Sequence, residues 1–120
     1  MPDILPTHTC FDDALDFIYE VIKQHPDNEK GLYLVHGIVY ADGRPSAHAW
    51  VEDGDKVIFA GILEGEKSYF AAERKEYYRE LKVKTTAKYS VKAAMRQNLI
   101  TGNYGPWLPQ LKALCRQAVS

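Results

Sequence analysis

The sequence predicts an α+β fold, with an N-terminal helix packed on a small antiparallel β-sheet and additional C-terminal helices over it. Three observations carry this expectation. Residues 9–24 repeat apolar side chains at helical spacing. Residues 32–63 are rich in β-branched and aromatic residues and are broken by Asp-Gly turns. Residues 68–119 return to helix-forming composition.

The first helix is read from "TCFDDALDFIYEVIKQ". Phe11, Ala14, Leu15, Ile18, Val21 and Ile22 follow i, i+3, i+4 spacing, with Asp12, Asp13, Asp16, Glu20 and Lys23 opposite. Thr9 is placed to cap its start, and the early aspartates suit the positive end of the helix dipole. "HPDNEKG" then breaks the chain at Pro26 and Gly31. Leu32 to Tyr40 reads as a strand, residues 41–45 as a connection, and Ser46 to Glu52 as a second strand. "EDGD" signals a hairpin with Asp53-Gly54 at its tip, and Lys56 to Leu63 forms the third strand. Beyond it, "SYFAAERKEYYRELKV" reads as a helix with Phe70, Tyr77 and Leu81 near helical spacing. Ser90 can cap "VKAAMRQNLI", which stops at Gly102. "NYGPW" is a rigid turn with an aromatic anchor. "LPQLKALCRQAV" is a last amphipathic helix with Leu111, Leu114, Cys115 and Ala118 on one side.

The chain of 120 residues has 46% hydrophobic and 26% charged residues, which suits one domain over residues 1–120. No apolar run reaches the length of a membrane span, so no membrane partner is expected. "MPDILPTHTC" lacks the basic and apolar regions of a signal peptide, and two cysteines make no disulfide framework. Both point to the cytoplasm. The net charge of −1 hides an asymmetry: residues 1–66 hold 4 Lys/Arg against 13 Asp/Glu, and residues 67–120 hold 11 against 3. The basic residues spread over helix surfaces rather than clustering with aromatics in a stacking groove. Attraction between the two halves is therefore expected over nucleic-acid binding.

The two cysteines differ in setting. Cys115 falls in the apolar stripe of the last helix and reads as core. Cys10 starts the first helix, where backbone N–H groups and the dipole stabilise a thiolate. A nucleophilic thiol needs a base, for which the sequence offers His8, His25, His36 and His48. In the second strand His48, Trp50 and Glu52 share one face, and Ala47, Ala49 and Val51 the other.

A cysteine starting the first helix, followed by "LVHG" and then by "HAWVE-x-G", resembles small uncharacterised bacterial and phage proteins. These look like compact relatives of the papain-like and transglutaminase-like superfamily. The later "YS" helix start and "TGNYGPW" extend the resemblance over most of the chain. The resemblance implies Cys10 as nucleophile, His48 as base, and an acidic or amide residue on the next strand to orient the histidine. A cysteine hydrolase acting on an amide or ester bond is then expected. Trp50 would wall the cleft for a small-molecule or peptide substrate, and His36 would be structural or a substrate contact. No cofactor is implied.

The third position departs from that pattern. A hairpin symmetric about Asp53-Gly54 sets Glu52 opposite Asp55, Trp50 opposite Val57 and His48 opposite Phe59, where relatives of this kind tend to carry aspartate. Either a Cys–His dyad suffices, or the chain keeps a binding cleft without turnover. Two other classes compete. His8, Cys10, His36 and His48 could form a zinc site, although CxxC and HExxH are missing, so no metal is expected. Tyr77, Tyr78, Tyr89, Tyr104 and Trp107, with the lysines, could instead serve a non-catalytic binding module for a protein or nucleic acid.

Overall fold

The computed structural model describes residues 4–41, 43–84 and 86–119. Its elements run β1 (Leu5–Pro6), α1 (Cys10–Gln24), a 3₁₀ turn (Pro26–Gly31), β2 (Leu32–Ala41), β3 (Arg44–Asp53), β4 (Lys56–Leu63), β5 (Glu66–Glu73), α2 (Arg74–Glu80), β6 (Thr86–Ser90), α3 (Val91–Thr101) and α4 (Pro109–Val119). The fold is α+β, as expected from sequence. The sheet is antiparallel throughout, in the order β1-β4-β3-β2-β6, with β5 on the other edge of β4. No helix among the described residues is long and apolar enough to cross a membrane.

Two cores lie on opposite faces of this sheet. On one, Cys10, Phe11, Ala14, Leu15 and Ile18 of α1 pack against Leu32, Leu34, Ala49 and Val51, with Val91 and Ala94 of α3. On the other, Val35, Val39, Trp50 and Val57 are covered by Tyr77 of α2. The alternation along β3 read from sequence therefore holds: Ala49 and Val51 face α1, and Trp50 faces α2. Helix α3 also follows its signals. The Ser90 side chain accepts a hydrogen bond from the Ala93 N–H at 3.1 Å, and Gly102 ends the helix at φ 72°. In α4 the Cys115 side chain packs against the α1-side core, while the Ala118 side chain lies outside the described residues, as does Asp42 in the β2–β3 connection.

Four expectations are corrected. Residues 66–73 form a strand rather than the start of a helix, so Phe70 belongs to β5 and only Arg74–Glu80 is helical. The hairpin into β5 turns at Glu64 and Gly65, both at positive φ, and the strand hides its alternation behind Ala, Glu and Lys, which favour helices. Residues 86–90, within the stretch of helix-forming composition, instead add a strand to the edge of β2 from Tyr33↔Ser90 to Gly37↔Thr86. Thr9 does not cap α1 with its side chain. Its hydroxyl donates to Asp13 Oδ2 at 2.8 Å, beside a bond from Thr7 Oγ1 at 3.0 Å. Asp13 is accordingly buried, not on the polar face of α1, and is neutralised by Lys67 at 2.5 Å.

Part of the charge asymmetry resolves within the fold. Lys67 reaches Asp13, while Arg74 and Lys88 reach Glu52 at 3.7 and 3.5 Å, so cations of the basic half pair with buried acids of the acidic half.

Candidate active site

The site forms where two strands part. β3 and β4 pair only at Val51↔Ile58, Glu52↔Val57 and Asp53↔Lys56. Beyond Ile58, β4 turns to β1, pairing Gly61 with Pro6 and Ile62 with Leu5. Gly61 permits this, since a Cβ there would come within 2.4 Å of Ile4 Cγ2. The two-residue turn makes Asp53↔Lys56 a hydrogen-bonded pair, so alternate residues 53, 51 and 49 aim their N–H groups toward β4. At Ala49 that strand is gone. The thiol of Cys10, brought in by the start of α1, takes the hydrogen bond of Ala49 instead, with a second from the Phe11 backbone. The sulfur thus lies against Ala49 on the α1 side of β3, whereas the side chain of the neighbouring His48 points to the α2 side.

His48 is half-buried on the α2 side, its ring 6.0 Å from that of Trp50. Behind it, the Trp50 ring stacks 5.3 Å from Tyr77 and 5.9 Å from Tyr78. Trp50 is fully buried, so it backs His48 from within the core and does not wall a cleft open to substrate. Its Nε1–H donates to Glu52 Oε2 at 3.0 Å, and the Tyr78 hydroxyl donates to the same oxygen. With Arg74 and Lys88 also engaged, the Glu52 carboxylate is fully occupied away from His48.

Burial decides the charge state of the pair. It pushes the Cys10 thiol up to about 11, against the two N–H bonds that lower it, and nearby Asp13 raises it further. Burial also lowers the His48 imidazole to about 4. Each group therefore rests neutral, the thiol on the α1 side of β3 and the imidazole on its α2 side. The thiolate expected at this helix start is not the resting form, because desolvation outweighs the dipole at a residue that is only 8% exposed.

The third position is also corrected. The hairpin turns at Gly54-Asp55, not Asp53-Gly54, and Gly54 at φ 60° takes the first central position, as in a type II′ turn. The register moves by two residues. Glu52 now faces Val57, and the continued register sets Phe59 across from Trp50 rather than His48. Phe59 packs at 5.1 Å from Tyr77 and 5.9 Å from Phe70. Position 59 is therefore not the missing triad position. Opposite His48 the ladder is absent, so no β4 side chain is set to orient it.

His36 lies on the other face. It pairs across the ladder with Ala49 and is fully buried between Phe11, Tyr89 and Trp107, with ring centroids at 4.7, 5.2 and 5.0 Å. Gly105 closes the cage, since a Cβ there would fall 2.6 Å from His36 Cε1. Among the described residues neither ring nitrogen has a partner, and burial lowers the imidazole to about 3. His36 is thus a packing residue, not a substrate contact. Trp107 anchors the "NYGPW" turn, its Nε1–H bonded to Asn103 Oδ1 at 3.0 Å.

Sequence reasoning named Cys10 and His48 as candidates but did not foresee the inward turn of Tyr77 or the Glu52 network. "KEYYRE" reads as a polar helix with two tyrosines, and nothing in it says which tyrosine turns inward. Among the described residues no group of three or more His, Cys, Asp or Glu is arranged to hold a metal. Compared with protein-family models, with curated proteins and with solved structures, the chain matches none.

Proposed function

We propose that the protein is a thiol hydrolase or acyl-transfer protein of papain-like or transglutaminase-like type, working with a Cys10–His48 dyad. One observation carries this reading: the Cys10 thiol lies within reach of the Ala49 backbone N–H, one residue along β3 from His48. A helix-start thiol held against the strand that bears the histidine is the arrangement that the sequence resemblance implies. Both groups rest neutral, so the dyad acts by general-base catalysis. The Cys10 sulfur attacks an amide or ester carbonyl carbon while its proton passes to His48. The imidazolium then protonates the leaving group, and water hydrolyses the thioester. The free thiols of Cys10 and Cys115 suit a reducing compartment such as the cytoplasm.

A second reading, a non-catalytic binding module, draws support from the low exposure of Cys10. It is also supported by the apolar residues Met95, Leu99 and Ile100 exposed on α3. A single experiment separates the two. The protein is mixed with p-nitrophenyl acetate, and the acetyl group is mapped by mass spectrometry. The dyad predicts acetyl-Cys10 followed by turnover, and His48→Ala lowers the acylation rate by about 10²–10⁴-fold. Absence of acetyl-Cys10 in the wild type rules out the hydrolase and leaves the module.

A further inference from the structure

Helix α3 leaves one face uncovered. Val91 and Ala94 turn inward to the α1-side core, and Asn98 Oδ1 accepts a hydrogen bond from the Tyr19 hydroxyl at 2.6 Å. The opposite face carries Lys92, Met95, Arg96, Leu99 and Ile100, all exposed, with Leu99 at 85% and Ile100 at 71%. Large apolar side chains grouped in this way on a surface mark an interaction site. At about 100° per residue, Lys92 and Arg96 lie in the middle of the face, with Met95 and Leu99 on one flank and Ile100 on the other. Among the described residues neither cation makes an ion pair, whereas Lys56, Lys67, Arg74 and Lys88 each do. At Lys92 the face runs into a groove of about 310 Å³ between the start of α3 and Lys30, Leu32 and Tyr33, with Glu29 the one acid among its described lining residues. Lys88 stands 4.6 Å over the Tyr33 ring.

We propose that this face of α3 docks an acidic amphipathic helix of a partner protein. Lys92 and Arg96 stand about 6 Å apart along the helix axis, which matches two carboxylates four residues apart on a facing helix. Met95, Leu99 and Ile100 then close around those ion pairs and keep water from them. An apolar side chain of the partner enters the groove beside Tyr33. Other occupants fit less well. A membrane surface takes a helix whose apolar residues hold the centre of the face and whose cations hold its edges, the reverse of the order here. A second copy docked by two-fold symmetry brings the Lys92 and Arg96 cations against their own kind. A nucleic-acid strand stacks its bases on aromatic rings, and this face of α3 has none. The surface deepens the binding-module reading and asks nothing of the Cys10–His48 pair, so failure of either leaves the other standing.

The test uses two fluorescein-labelled helical peptides that differ only in charge. Both carry a leucine stripe. One flanks it with Glu at every fourth position, and the other has Lys at those positions. Fluorescence anisotropy against the full chain should show binding of the Glu peptide and not of the Lys peptide. Leu99→Ser should weaken that binding by about 10-fold, as expected for losing an apolar anchor. Lys92→Glu combined with Arg96→Glu should reverse the preference, so that the Lys peptide binds and the Glu peptide does not. All three positions are exposed, and circular dichroism checks that the variants fold. A Glu peptide that does not bind, that binds no better than the Lys peptide, or that binds Leu99→Ser as well as wild type overturns the proposal. Two further results overturn it in favour of another occupant. One is tighter binding to phosphatidylserine–phosphatidylcholine vesicles than to the Glu peptide, lost in Leu99→Ser. The other is a wild-type dimer in sedimentation that Leu99→Ser converts to monomer.

Discussion

The two faces of the sheet each hold a histidine on neighbouring strands, one enclosed in an aromatic cage and the other half-buried beside a tryptophan, so one element sets the same residue type in two different environments. His36 on the α1 side is closed in by Phe11, Tyr89, Trp107 and Gly105, and its nitrogens meet no hydrogen-bond partner among the described residues. His48 on the α2 side is half-buried, one residue along β3 from the Ala49 that meets Cys10. The α1 face is almost wholly apolar. The α2 face carries a buried carboxylate, Glu52, tied to Trp50, Tyr78, Arg74 and Lys88. Burial depresses both imidazoles. In the proposed reaction only His48, one residue from the Ala49 that meets the Cys10 thiol, acts as the base.

The largest expected effect contrasts the histidines directly. His48→Ala should reduce Cys10 acetylation by about 10²–10⁴-fold, whereas His36→Leu should leave the rate per folded molecule within a few-fold. A comparable loss in His36→Leu would erase the distinction between the faces. Acid stability comes next. The folded pKa of His36, about 3, lies below its unfolded value of 6.5, so its contribution is fully present above 6.5 and is lost as pH falls toward 3. The loss is about 4–5 kcal/mol over that window at 1.36 kcal/mol per pKa unit, and His48 adds to it down to about pH 4. Urea unfolding at pH 7 and pH 4 captures about 3 kcal/mol of it, and His36→Leu should flatten the slope more than a change on the α2 face does.

Smaller effects sharpen the same contrast. Gly105→Ala places a Cβ 2.6 Å from His36 Cε1 at a backbone φ of 100°, and should destabilise the α1-side cage by about 2 kcal/mol or more. Gly102→Ala, at φ 72° with open space around it, should cost about 1 kcal/mol. On the α2 face, Tyr78→Phe removes one donor to buried Glu52 and should cost about 1–2 kcal/mol. Equal midpoints for Tyr78→Phe and wild type in urea would mean that water replaces that donor.

Much of the α1 face was legible in the sequence, because its signals are local. The apolar stripe of α1, the alternation of Ala47, Ala49 and Val51, the Ser90 cap and the Gly102 stop each depend on a few consecutive residues. The α2 face was less legible. Glu66–Glu73 carries helix-forming residues but pairs with β4, since a β-hairpin partner outweighs modest propensity differences. At the site, Cys10 and His48 were named from position and resemblance. The charge state of the thiol could not be read, because the helix dipole is local while desolvation depends on everything packed around it.

By itself the sequence determined the α+β class, the order of most elements, the inward and outward residues of β3, and the placement of Cys10 at a helix start. All of these follow from periodicities of two or 3.6 residues and from single capping positions. Only the tertiary structure decided the rest: the two-residue shift that removes Phe59 from His48, the parting of β3 and β4 that gives the thiol to Ala49, and the inward turn of Tyr77. Those depend on which strand occupies which edge, and strand pairing between distant segments leaves no periodic mark in the chain that forms it.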